Sequence, residues 1–316
     1  MLKYIVGRVF AMLITLFIIV TLSFFVIRLM PQNIFDNPDL PPYVVEILEK
    51  KMHLDKPMYV QYYYFLRGIF LEGDFGTSVK IRPSLPVFQV LKSRLPISML
   101  INVLSLFISI PIGITAGTIA ALRKNKLPDH AVSLLVVLFI SVPSFVFASL
   151  MQYGLTFLYP IFPTLYNPSA TTLRQLAMSI TLPVVALALN PIATVARYLR
   201  GELIETMSSE FLLLARTKGL TRAQAVMRHA FRNSCVPLVN IVIPMFTGIM
   251  GGSLVIESIF SIPGMGGMMI SSINAGDHPL TIAILIFYSI ISLVTMLIMD
   301  ISYGLLDPRI RMGGRR

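Results

Sequence analysis

Six apolar runs, each about as long as a bilayer is thick, constrain this chain more than any other feature. They cover Val9–Met30, Ser98–Ala120, Ala131–Leu158, Leu176–Ala196, Cys235–Ile259 and Leu280–Gly304. A helix needs about 20 apolar residues to cross the hydrocarbon core, where no water is present to satisfy backbone polar groups. The spacing therefore predicts an all-α polytopic membrane protein with six transmembrane helices. Composition agrees: only 13% of the residues are charged and 55% are hydrophobic, whereas a soluble domain carries about 25% charged residues. Lys3 and Arg8 precede the first run as in a signal peptide. That run is long for a secretory segment and no A-x-A cleavage site follows it, so it reads as an uncleaved first span.

Four regions follow from this pattern: an N-terminal span over 1–30, a polar subdomain over 31–96, a five-helix core over 97–307 and a basic tail over 308–316. The polar subdomain contains Pro41-Pro42 and the motif Tyr43-Val44-Val45-x-Ile47-Leu48, which suggests short amphipathic helices. Charge sets the orientation. With the N-terminus inside, 16 of the 26 Lys and Arg residues fall on inner segments, including seven between Arg197 and Arg232 and four between Arg309 and Arg316. The 31–96 segment holds eight basic residues against seven acidic ones, and long loops weigh little in this rule. Both termini are expected in the cytoplasm and 31–96 outside, in a cell (inner) membrane. The formal net charge of +11 sits in short clusters between apolar runs, unlike a nucleic-acid patch. Cys235 is the single cysteine, which excludes an internal disulfide and any CxxC site.

Several chemistries lack their signatures. There is no GxxxxGK[ST], HExxH or GxSxG motif, and His53, His130, His229 and His278 stand at unrelated spacings. No catalytic residue, metal ligand or cofactor-binding residue is assigned. Ion-coupled carriers keep ionisable groups near the membrane midplane, yet Arg28, Glu257 and Asp300 fall near span ends. Mid-span polar residues are amides and hydroxyls such as Asn102, Gln152, Thr156, Asn190 and Asn240, which either glue helices together or line a polar pathway. Pro111, Pro143, Pro183, Pro191, Pro237 and Pro244 recur within the spans, as packed kinks or as hinges. The pathway and gate candidates are Asn102, Pro143, Asn190, Pro263, Gly264 and Gly266. The three glycines in Ile262-Pro263-Gly264-Met265-Gly266-Gly267 suit an adaptable plug or a plain tight turn.

The segment Arg197–Arg232 is the most informative. Ser208 and Ser209 are placed to cap a helix that begins with Glu210, and the run Phe211-Leu212-Leu213-Leu214-Ala215 follows. Arg216 and Lys218 suit its negative end, and Gly219 is predicted to take a left-handed backbone after it. Thr221-x-x-Gln224 reads as a capping box for a second helix carrying Arg222, Arg228, His229 and Arg232. So many adjacent leucines on a solvated loop call for a partner that covers them.

Ala215-Arg216-Thr217-Lys218-Gly219-Leu220, followed by Arg228-His229-Ala230-x-Arg232-Asn233 and Pro237, resembles the coupling loop of binding-protein-dependent ABC permeases, in particular the dipeptide/oligopeptide/nickel branch. Leu213 and Leu214 stand where the general motif has Glu and Ala. Four further segments agree: Asp74-Phe75-Gly76-x-Ser78 with Pro86-Val87, Ser141-Val142-Pro143-Ser144-Phe145, Ile262-Pro263-Gly264-Met265-Gly266 and Leu306-Asp307-Pro308-Arg309-Ile310-Arg311.

The resemblance implies a type I importer permease fold and a translocation subunit that is not itself an enzyme. It implies as partners a second related permease, two cytoplasmic ATPase subunits that bind ATP and Mg, an extracellular substrate-binding protein and a peptide substrate. It also implies that Glu210, Leu213, Leu214, Ala215, Lys218, Gly219, Arg222, Arg228, His229 and Arg232 contact the ATPases. Oligopeptides lead among substrates, on Leu54-Asp55-Lys56-Pro57-x-x-x-Gln61-Tyr62; dipeptides and chelated nickel are the alternatives. An ion-coupled carrier or passive channel is the reading of a different class.

Overall fold

A computed structural model describes residues 2–29, 46, 49–50, 53–246 and 253–306. The predicted tail 308–316, Pro41-Pro42 and most of the amphipathic stretch after them lie outside the described residues. Among the described residues the chain is helical, with one isolated bridge between Thr77 and Pro86.

Among the described residues four helices are long and apolar enough to cross a membrane unaided: α1 (Leu2–Arg28), α3 (Val87–Leu122), α6 (Leu173–Met207) and α12 (His278–Leu306). Between α1 and α3 lies α2 (Met58–Arg67), extended by one wide turn over Gly68–Glu72. Helix α3 begins at Val87, ahead of the predicted Ser98, so the end of the polar subdomain is continuous with the second span.

The predicted third span is not one straight helix. It consists of α4 (Leu127–Ser141) and α5 (Ser144–Gln152, continued by a wide turn over Tyr153–Leu158), set at 97° to each other. The break falls at Val142-Pro143. Val142 is extended (φ −95, ψ 124) because the proline ring excludes helical geometry from the residue before it. The other five prolines, by contrast, sit inside continuous helices.

Helix α7 (Glu210–Thr217) is followed by α8 (Arg222–Ala225), a wide turn over Val226–Ala230 and α9 (Phe231–Met245). Helices α10 (Leu254–Ile259) and α11 (Met265–Ala275) complete the chain before α12. The middle of the predicted fifth span, residues 247–252, lies outside the described residues; α9 covers its start and α10 its end.

The pair α3/α6, whose helices run in the same direction, is the centre of the bundle. Lipid tails are as apolar as leucine, so close van der Waals packing rather than water exclusion holds such pairs. Gly113 and Gly117, four residues apart on α3, supply it: a Cβ on Gly113 would fall 2.7 Å from Val195 Cβ, and one on Gly117 2.6 Å from Ala196 O. Buried Ile101, Ile180, Leu182, Ile256 and Phe260 fill one end of this contact. Ala121, Leu203, Leu212, Ala225 and Ala230 fill the other. Helix α1 is peripheral. It turns Val20, Phe24 and Ile27 inward, and Ile282 and Ile286 of α12 pack against this face. Val6, Phe10, Phe17, Leu22 and Val26 stay exposed on its other side. Arg8 Nε and Asp300 Oδ2, 3.1 Å apart, tie the far ends of α1 and α12.

Candidate functional site

Gly219 lies at the turn between α7 and α8 with φ +92 and no other atom near its missing side chain. Its N–H donates to Arg216 O at 3.0 Å, and the N–H of Leu220 reaches Ala215 O at 3.4 Å. The left-handed turn therefore closes α7 as predicted, and glycine adopts that backbone at no steric cost. The capping box forms too. Gln224 N donates to Thr221 Oγ1 at 3.3 Å, and Thr221 N donates to Gln224 Oε1 at 3.0 Å.

Two local expectations are corrected. Ser209 occupies the N-cap of α7, but its hydroxyl donates to Thr206 O and makes no cap hydrogen bond. The second helix is not a separate short element. It runs through the wide turn into α9, held where Ala225, Val226 and Ala230 pack on Leu203. Ser234 Oγ adds a bond to Thr206 Oγ1 at 3.0 Å.

The predicted apolar face also divides. Leu212 and Ala215, three residues apart, point into this chain's own core. The Ala215 side chain, expected from its place in the motif to face a partner, is packed within this chain. Phe211, Leu213, Leu214 and Met227 are exposed, Leu213 by 64%. Around them Glu210, Arg216, Lys218, Arg222, Arg228, His229 and Arg232 are all exposed. The result is an apolar patch in a basic rim, turned away from the bundle.

At the opposite end, the segment Ile262–Gly267 is a packed knot. The Glu257 carboxylate, 2% exposed, accepts from Ser98 Oγ at 2.7 Å and from Gly267 N at 3.0 Å. Met265 N in turn donates to Ser98 Oγ at 2.8 Å. Gly264 has an extended backbone (φ −100, ψ −171), not a left-handed one. A Cβ there would meet Ser98 Oγ and stand 2.5 Å from Glu257 Cδ, while one on Gly266 would stand 2.7 Å from Leu254 N. These glycines serve close approach rather than mobility, and Pro263 is partly buried beside them.

The remaining pathway candidates are scattered. Asn102 Nδ2 donates to Ser98 O one turn back on α3 at 2.8 Å. Asn190 is exposed on α6, and Pro143 is exposed at the break. The Leu54–Gln61 signature is scaffolding: Gln61 Nε2 donates to Lys56 O at 2.8 Å, and its Oε1 accepts from Arg28 Nε at 2.8 Å.

Two polar ties had gone unrecognised in the sequence. Asp277, wholly buried, accepts from the consecutive amides of Val79, Lys80 and Ile81 at 3.0–3.2 Å and from Ser78 Oγ. Successive N–H groups of this kind form an anion nest. Asp129, its side chain 2% exposed, is gripped by Arg200 Nε and by Nη2, the latter at 2.9 Å, and accepts from Asn125 N at 2.8 Å. A lone acid just after Gly276, the left-handed cap of α11, was the signal available for the first.

Comparison with known proteins covers nearly the whole chain. Residues 113–312 match the family described as binding-protein-dependent transport system inner membrane component. Residues 1–102 match its N-terminal counterpart, binding-prot-dependent transport system membrane comp, N-term. The chain is 42% identical over 313 residues to the dipeptide transport system permease protein DppB of Lactococcus lactis subsp. cremoris, covering 99% of this chain and 100% of that one. It is 35% identical over 312 residues to the oligopeptide transport system permease protein OppB of Haemophilus influenzae (98% and 100%). It is 34% identical over 313 residues to OppB of Escherichia coli K12 (98% and 100%).

Proposed function

Because the chain belongs to the family of binding-protein-dependent transport system inner membrane components, we propose that it forms half of a peptide pathway through the membrane and is driven by separate ATPase subunits. It is a multi-pass translocation subunit of an ABC importer, and peptides are its substrate class. A second, related permease encloses the other half of the pathway. Two cytoplasmic ATPases bind ATP and Mg beneath it, and an extracellular binding protein delivers the peptide. Both termini lie in the cytoplasm, so the Gly219 end faces the ATPases and the Asp277 end faces outward.

The observation that carries the coupling role is the exposed patch of Phe211, Leu213, Leu214 and Met227 in its basic rim, braced from behind by buried Leu212 and Ala215. A loop meant only for water has no use for that patch, since covering apolar surface gains roughly 25 cal/mol per Å². Bracing matters as much as contact. Leu212 and Ala215 join α7 to α3 and α6, so a force on the patch passes directly into two spans. When ATP draws the ATPases together, this elbow moves with them and the bundle changes which side is open, a rigid-body switch. ATP can drive import only if the contact here differs between the two states.

The test is co-purification of the ATPases and peptide-stimulated ATP hydrolysis in reconstituted complexes. Leu213→Glu with Leu214→Glu is expected to leave the permease inserted and paired, and to lose both readouts. Gly219→Val is expected to do the same, at a local backbone cost of about 1–2 kcal/mol, while Gly219→Asn, which tolerates that backbone better, retains more. Normal ATPase retention and normal transport in all three would show that this elbow is not the coupling element. Mass spectrometry of the peptide carried by the binding protein decides between dipeptide and oligopeptide import.

A further inference from the structure

A cavity of about 520 Å³ lies at the Asp277 end, between α1, α2, the segment after it and the start of α12. Four basic side chains line it: His53, which stacks on Tyr64, Arg67, which pairs with Glu72, and Arg28 and His278. Arg28 is the last residue of α1, and His278 is the first of α12. Arg28 is partly buried. Its Nε donates to neutral Gln61, and its guanidinium lies 5.7 Å from the centre of the Phe24 ring. No carboxylate pairs with it among the described residues.

His278 is 5% exposed, and neither ring nitrogen has a partner among the described residues. An imidazole always carries at least one N–H donor, which burial leaves in need of an acceptor. The acids in the same wall are already engaged: Glu72 pairs with Arg67 at 3.2 Å, and Asp74 Oδ1 accepts from Gly76 N at 2.8 Å. The unmet chemistry of the cavity is therefore that of an oxyanion acceptor.

The surroundings indicate which oxyanion. Next to the cavity α1 presents Leu22, Val26 and Leu29 outward, and α1 lies at the edge of the bundle. Helix α2 exposes Tyr59 (74%) and Tyr63 (62%), one turn apart. Tyrosines gather where headgroups meet hydrocarbon, and short amphipathic helices lie at that level. The cavity thus sits at a membrane–water boundary, beside a helix face suited to acyl chains.

We propose that this cavity binds the phosphate of a phospholipid of the adjoining leaflet, recognised by Arg28 and His278, with the acyl chains leaving along the exposed side of α1. The proposal rests on α1 spanning the membrane and is independent of the coupling role of the Gly219 elbow. Free phosphate shares the headgroup chemistry, so the test separates the two sources.

The whole importer complex is purified in detergent, and phosphatidylglycerol, diacylglycerol or inorganic phosphate is added. Retained lipid is read by native mass spectrometry and the thermal midpoint of the complex is recorded. Phosphatidylglycerol alone is expected to be retained and to raise the midpoint. Arg28→Gln and His278→Asn should each bind it about tenfold more weakly, the loss of one charge-assisted contact, while Arg28→Lys keeps much of the binding. Equal protection by inorganic phosphate would overturn the lipid assignment, and equal protection by diacylglycerol would overturn the role of the phosphate. Unchanged retention in His278→Asn and Arg28→Gln would mean that the lipid is held elsewhere on the complex and would refute the proposal. Should Arg28→Gln fail to assemble, His278→Asn and Arg28→Lys decide by the same two readouts.

Discussion

Ser78 donates its hydroxyl to the carboxylate of Asp277 across 199 residues of sequence. The amides of Val79, Lys80 and Ile81 converge on the same carboxylate, so one buried acid fastens the polar segment between the first two spans to the start of the last. Asp277→Ala would leave that cluster of donors without an acceptor, at a cost on the order of 3 kcal/mol. The expected outcome is a lower thermal midpoint for the purified complex and faster proteolysis near Ser78. Asp277→Asn keeps one acceptor oxygen and should fall between. A midpoint unchanged in the alanine variant would mean that the nest carries no load.

The knot at Gly264 makes a sharper prediction. Gly264→Ala forces a methyl group against Ser98 Oγ and Glu257, and overpacking of this kind costs about 1–3 kcal/mol. Gly267→Ala is the control, since its methyl would sit 3.7 Å from Ile262 O in ordinary contact. Thermal stability and assembly with the partner permease should drop in the first and hold in the second. Equal behaviour would remove close approach as the reason for glycine here.

Asp129 and Arg200 tie α4 to α6 at the opposite end. Arg200→Met would leave the Asp129 carboxylate without its partner, and because the arginine side chain is 31% exposed and water can approach, the cost is about 1–3 kcal/mol. Adding Asp129→Asn to the same chain should recover much of that loss, because the stranded charge is then gone. If the double variant is as unstable as Arg200→Met, the cost lies in lost packing of the arginine and not in an unpaired charge.

Orientation is checked with reporter fusions. Fusions after Asp74, ahead of α3, and after Arg123, at its end, should report opposite sides of the membrane, with Arg123 inside. Two reports from the same side would overturn the orientation drawn from the charges.

The long spans were legible because periodicity and length are local properties. Helices α1, α3, α6 and α12 could be read directly, and so could Gly219 and the Thr221–Gln224 box, where one or two residue types fix the backbone. The bend at Pro143 was harder to single out. Six prolines look alike in sequence, and only the packing around each decides whether the helix continues past it. The division of the Phe211–Ala215 run was also missed, because adjacent residues on a helix point in different directions. Leu212 and Ala215 share one side and Leu213 and Leu214 leave it. Glu257 looked like a span-end charge until Ser98 and Gly267 were folded onto it. The Asp277 nest joins segments so far apart that no local pattern reports it.

That last separation has a consequence in time. A ribosome adds about 5–20 residues per second, so the carboxylate that Ser78 requires is made roughly 10–40 s after Ser78 itself. By the end of that interval α1, α3, the bent pair α4–α5 and α6 have all been made, while the amides of Val79, Lys80 and Ile81 have no acid to receive them. The first polar segment to leave the ribosome is thus among the last to be fixed, and a chain cut short before Asp277 would display that segment unfastened to any quality-control protease on its side of the membrane.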